Sequence, residues 1–189
     1  MFNSNRHLKF LKATFAVMES TEFIAFHDLP HLIRNWTYNL QNLSKIMRVG
    51  RWPILYEHLI DLKQFTSVPS AFLNVKKKMN QAASLFFFSD LTIDLLALNF
   101  PDRAYRLKLY LCYGSYLWRA YMDRTIQMKE RLYLAGCVIS FLLIWYNDLK
   151  EVKEHECLLI TRNTMTASLQ SCFALYILNY LFTSTKIPV

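Results

Sequence analysis

Apolar and polar positions separate most cleanly over residues 31–51, HLIRNWTYNLQNLSKIMRVGR. At about 100° per residue, Leu32, Trp36, Leu40, Leu43, Ile46 and Met47 share one arc of roughly 120°. Arg34, Gln41, Lys45 and Arg48 take the opposite side, and only Asn39 intrudes on the apolar arc. The spacing predicts one amphipathic helix. Gly50 suits its left-handed cap, and Pro53 suits the first turn of a following helix. The polar face carries Arg34, Lys45 and Arg48 and no carboxylate. Trp and Leu opposite a purely basic face suit a helix lying in an anionic membrane surface. The same periodicity suits a helix packed on a protein core with its solvated face outward.

The rest of the chain also reads as helices. Leu8, Leu11, Phe15 and Met18 make one face over residues 4–19. Residues 20–30 lack sustained periodicity and end in a turn at Pro30. Leu55, Leu59 and Leu62 predict a helix over 54–65, with a break at 66–70. Ser70 then caps a long helix to about Phe100, which carries Asp90 and Asp94 one turn apart. Pro101 stops it and Asp102 starts another. Residues 103–123 interleave aromatics with cations, as at a water–lipid boundary or a helix interface. Residues 132–147 hold no charge, a run just short of the roughly 20 needed to span a bilayer. Residues 148–156 extend that helix with charge. Residues 163–185 are again uncharged but diluted by Thr, Ser and Gln, which makes a marginal span.

Composition supports long helices: Gly is 3 and Pro is 5 of 189 residues, while 53% are hydrophobic. The net charge of +8 is uneven. Residues 1–78 hold 11 Lys/Arg against 5 Asp/Glu, and residues 79–189 hold 11 against 9. A basic amino-terminal half implies an acidic partner. Anionic membrane lipids are favoured over nucleic acid, because the cations sit on helices with large apolar faces and no reader motif is present. The four cysteines lie far apart without a C-x-x-C pair and read as reduced thiols. His27 and His31 have i,i+4 spacing, but Pro30 lies between them and no third ligand is evident. Asp90 and Asp94 lack a cooperating His, Ser or Cys and are expected to meet Arg or Lys from another helix, or to line a polar strip in a bundle. The expectation is therefore a protein without enzymatic activity, cofactor or metal.

Four stretches carry a family resemblance. Asn5 to Leu11 opens with a basic residue, Arg6, before an apolar run. LQNLSKIMRVGR, residues 40–51, holds Ser44, Lys45, Arg48 and Gly50 in a Ser-Arg-Lys-Leu-Arg-Leu-Gly-like pattern. LFFFSDLTIDLL, residues 85–96, is an aromatic helix containing an Asp. Residues 132–153 and 169–181 are a Leu-rich helix with a charged end and a later helix ending Leu178-Asn179-Tyr180-Leu181. In this order they resemble the peroxisomal biogenesis factor 11 (peroxin-11) family. The resemblance implies a protein of the peroxisomal membrane, or of a glycosome-type organelle membrane, that elongates the membrane and promotes division. It further implies homo-oligomers and division-machinery partners. Arg34, Lys45, Arg48 and Arg51 would draw the helix to lipid, and Trp36, Leu40, Leu43 and Met47 would wedge one leaflet.

The expected architecture is all-α: a membrane-associated helical bundle with amphipathic helices and one or two marginal membrane-embedded helices. A basic amphipathic region, 1–101, and an aromatic and apolar region, 102–189, form one cooperative domain. Two other readings remain at this point, a multi-span channel or receptor-like protein and a soluble helical interaction domain.

Overall fold

A computed structural model describes residues 27–42, 44–65, 81–149 and 159–184. The described chain is mostly helical. Helix α1 spans Leu29–Gln41. A two-residue-per-strand antiparallel hairpin follows, β1 at Arg48–Val49 and β2 at Trp52–Pro53. Then come α2 (Glu57–Asp61), a 3₁₀ turn (Leu62–Gln64), α3 (Gln81–Phe87), α4 (Asp90–Asn99), α5 (Tyr105–Met122), α6 (Met128–Leu149) and α7 (Arg162–Ser184). Helix α6 packs between α5 and α7, α4 lies on α5, and α1 touches α3, α5 and α7. The amino-terminal and carboxy-terminal regions therefore share one hydrophobic core.

That core is assembled around Trp36, whose side chain is completely covered. Its ring lies 5.0 Å from Tyr110 on α5 and edge-on to Phe88 at 6.4 Å. Its indole N–H donates to Ser168 Oγ on α7 at 3.0 Å, and its carbonyl accepts from Tyr110 at 2.8 Å. Tyr113 stacks on Phe141 at 4.1 Å, and Phe141 lies 5.2 Å from Trp145. The aromatics of residues 103–123 thus build a helix interface. Asn39, the polar intruder on the apolar arc, has a structural reason. Its Oδ1 accepts from the backbone N–H of Thr161 at 2.9 Å, just ahead of α7. A free helix-end amide is thereby satisfied by a residue of α1.

Several element boundaries differ from the periodicity. The helix expected over 31–51 stops at Gln41. The carbonyl of Asn42 accepts from Lys45 N–H and its side chain from Ser44 N–H, so a local turn replaces the helical ladder. Gly50 does take positive φ, at 59°, but in the hairpin turn. It fills the first central position between Val49 and Trp52, where a type II′ turn wants glycine. Pro53 accordingly sits in β2 and not at a helix start.

The long helix ending near Phe100 is broken at Phe88–Ser89, and α3 and α4 meet at a 50° bend. Ser89 causes the break by capping α4: its hydroxyl accepts from Thr92 N–H at 3.3 Å and donates to the Phe86 carbonyl at 2.7 Å. The helix expected over 54–65 shrinks to α2 and the 3₁₀ turn. The next helix begins at Tyr105, after a turn at 101–104, later than Asp102. Asp90 and Asp94 are exposed, and neither makes an ion pair among the described residues. His27 bonds Gln170 at 2.8 Å. The helix expected over 4–19, Leu43, the start of the long helix at 70–80 and the charged extension from 150 to 156 lie outside the described residues.

Gly114 permits the close approach of α5 to the Phe88 ring, which a Cβ would strike. Phe88 is itself buried and flanked by Trp36 and Tyr110, so it has little room to yield. Gly114→Ala is expected to destabilise the fold by about 1–3 kcal/mol in denaturant melts.

Burial holds the phenols of Tyr110, Tyr121 and Tyr56 above their ordinary value. The folded chain keeps these protons where the unfolded chain releases them, near pH 10. Stability is therefore fully present below about pH 10 and falls as pH rises beyond it. Melts by circular dichroism from neutral to alkaline pH should show that fall, and Tyr110→Phe should make it shallower.

Candidate functional site

The residues expected to meet lipid divide into two groups. Leu32, Trp36, Leu40 and Met47 are in the interior, each no more than 4% exposed. Arg34 and Lys45 are half-buried, and the buried Nε of Arg34 has no hydrogen-bond partner. The apolar face of α1 is thus occupied by α3, α5 and α7. This corrects the expectation of a helix lying with that face free. The physical reason is the neighbourhood: Trp36 and Leu40 find aromatic and aliphatic partners from later helices, so burying them against protein satisfies the same hydrophobic demand.

The second group is at the surface. Ile46 is 54% exposed, Arg48 and Arg51 are exposed, and Trp52 is 62% exposed. The hairpin gathers these four within seven residues of chain. Trp52 is a residue that helical periodicity missed, because it follows the Gly-Arg turn. Its adjacency to that turn and to two arginines was the available signal.

The hairpin is anchored to the bundle. The indole N–H of Trp145, on α6, donates to the Arg48 carbonyl. Trp145 is itself buried, with its ring 6.0 Å from Tyr110. Ile54 N–H donates to the Met47 carbonyl at 2.8 Å, which continues the pairing past β1 and β2. Gln41 donates to the Tyr56 hydroxyl at 3.2 Å, tying the end of α1 to the segment after the hairpin. Met47 and Ile54 point their side chains into the core. The arrangement fixes the base of the hairpin and leaves its tip in solvent.

Large apolar side chains are also exposed along the helices. Leu91 and Leu98 lie two turns apart on α4, and Tyr133 and Ile144 share a face of α6. Tyr176, Tyr180 and Phe182 project from α7. Among the described residues α6 is the single helix that is by itself long and apolar enough to cross a membrane, with 22 residues and a mean hydropathy of 1.5. The bent pair α3 and α4 meets the same criterion when taken together. At the far end of α6 the turn from α5 is polar: Arg119 pairs with Glu130 at 3.4 Å, and Thr125 donates to Asp123 twice, holding that carboxyl below its usual range.

No protein-family model, curated protein or solved structure matches this chain.

Trp145→Phe keeps the ring packing but removes the donor to Arg48. It is expected to cost about 1 kcal/mol of stability. It should also speed amide hydrogen exchange across residues 47–54 more than across α6, a contrast that mass-resolved exchange would read.

Proposed function

We propose that this is a non-enzymatic helical protein of the peroxisomal membrane, or of a glycosome-type organelle membrane, that curves and elongates the membrane and promotes division. The hairpin, and not the apolar face of α1, makes the lipid contact. The observation that carries this reading is the exposed grouping of Ile46, Arg48, Arg51 and Trp52 on an anchored hairpin. Ile46, Arg48 and Arg51 lie within the LSKIMRVGR stretch that resembles the peroxin-11 family, and Trp52 follows it directly.

Two arginines near an anionic surface contribute about 1 kcal/mol each. Trp52 suits the headgroup level, where an amphipathic ring has apolar and wet neighbours at once. Ile46 adds apolar area below it. Shallow entry of these side chains into one leaflet expands that leaflet and favours curvature. Homo-oligomers would concentrate the effect, and division-machinery proteins would complete scission.

The test has two levels. Imaging of the tagged full-length chain against a peroxisomal membrane marker should show coincidence and elongated or more numerous organelles. In vesicle flotation and tubulation, Arg48→Glu with Arg51→Glu should cut binding to anionic vesicles by about tenfold or more. Trp52→Asp should abolish tubulation while circular dichroism stays unchanged. Leu40→Glu should fail differently, by lowering the melting temperature, since it buries an unpaired carboxylate. Hairpin variants that tubulate like the unaltered chain would sink the proposed contact, and a diffuse signal in cells would sink the organelle.

A second reading has its own support in α6 and in the exposed Leu91, Leu98 and Ile144. In it the bundle is integral to the membrane. Resistance to alkaline carbonate extraction, unaffected by the hairpin variants, would favour that form of attachment.

A further inference from the structure

Behind the hairpin a cavity of about 520 Å³ opens between the segment 52–58 and the turn into α5. Trp52, Leu55 and His58 line it from the hairpin side of the chain. Asp102, Arg103 and Arg106 line it from the turn and the first residues of α5.

Three features of this cavity favour an anion. First, α5 begins here without a capping side chain: Ala104 occupies the cap position, and the first turn holds no acidic residue. The Ala104 and Tyr105 amides donate to the Phe100 and Asp102 carbonyls, so what this end offers an anion is the positive pole of an 18-residue helix. Second, two arginines stand against one carboxylate. Neither Arg103 nor Arg106 makes an ion pair among the described residues. The Arg106 guanidinium lies over the Tyr105 ring at 4.6 Å, which orients it without neutralising it. Third, His58 is only 6% exposed, and its Nδ1 is buried without any hydrogen-bond partner. Its ring is held stacked near Phe100, with centroids 6.0 Å apart. A buried polar atom left unpaired is costly in a folded chain and marks a place where a partner is missing.

We infer that this cavity is a binding site for a phosphate monoester of a small hydroxylated molecule. The phosphate would sit at the amino-terminal end of α5 between Arg103 and Arg106, which present planar donor forks matched to its oxygens. His58 supplies a further donor. Asp102 would repel a bare dianion, but it accepts from a hydroxyl, so the favoured ligand carries both groups. Trp52 and Leu55 cover the apolar remainder. The volume exceeds what a phosphate alone would fill and lies within the range of small-molecule sites. The inference rests on the cavity and not on the proposed membrane role, because a soluble phosphate ester and a lipid headgroup offer the same chemistry.

The probes are glycerol 3-phosphate and short-chain lysophosphatidic acid, which share phosphate and hydroxyl and differ by the acyl chain. Each is titrated calorimetrically into the full-length chain in zwitterionic detergent, with glycerol as the blank. Saturable binding of at least one probe is expected. The pair Arg103→Gln and Arg106→Gln should weaken it by about tenfold or more. His58→Phe, which keeps the ring stacked on Phe100, should weaken it less. Circular dichroism should be unchanged in the arginine pair, since both residues are outside the core. Equal affinity for both probes identifies a soluble ester, and binding of the acylated probe alone identifies a lipid. No saturable heat with either probe at millimolar concentration would overturn the site, as would affinities that ignore the arginine pair. These variants share no residue with the hairpin variants above, so the two proposals fail separately.

Discussion

The packing of Trp36 is the constraint from which the rest of this bundle follows. One indole touches Tyr110 and Phe88 and donates to Ser168, so α1, α5, α7 and the bend between α3 and α4 converge on a single side chain. Truncating a fully buried Trp typically costs 3–5 kcal/mol, a large part of a domain's stability. The polar bonds matter as much as the area. Ser168 satisfies the indole N–H, and Asn39 satisfies the amide ahead of α7. An apolar face with polar groups placed to meet specific partners specifies one neighbour and one register, whereas a lipid surface would accept many.

That commitment of α1 to the interior decides what is left for the surface. With Leu32, Trp36, Leu40 and Met47 covered, the exposed chemistry of the segment moves to Ile46, Arg48, Arg51 and Trp52. The move depends on two local devices. Asn42 ends the helix by offering its own carbonyl and side chain to Lys45 and Ser44. Gly50 then turns the chain back at a φ that other residues adopt only with strain. Trp145 completes the effect by bonding the Arg48 carbonyl, so the hairpin is oriented by α6 and not by its two-residue strands, which are too short to be stable alone.

The helical class, the approximate places of α5, α6 and α7, and the membership of Leu32, Trp36, Leu40 and Met47 in one apolar set were all legible in the sequence. The apolar set rests on a 3.6-residue period sustained over several turns, whereas α6 and α7 were marked by long uncharged runs and α5 by interleaved aromatics and cations after Pro101. The breaks were less legible. Ser89 looks like any polar residue in a helix until its bonds to Phe86 and Thr92 show it to be a cap. Ile46 and Met47 hold the period in sequence while lying beyond the helix in space. The cavity residues come from segments more than 40 positions apart, His58 and Arg103 among them, and no local pattern links them.

The sequence by itself determined that this chain would form long helices with a basic amino-terminal half, because periodicity and charge are properties of local order. It also marked Leu32, Trp36, Leu40 and Met47 as side chains that leave water together, while counting among them Ile46, which stays 54% exposed. Only the tertiary structure decided what they would leave water for. Periodicity records that a face is apolar, and the hydrophobic effect is indifferent to whether protein or lipid covers it. The tyrosine on α5 and the serine on α7, 74 and 132 positions away from Trp36, are what made the answer protein.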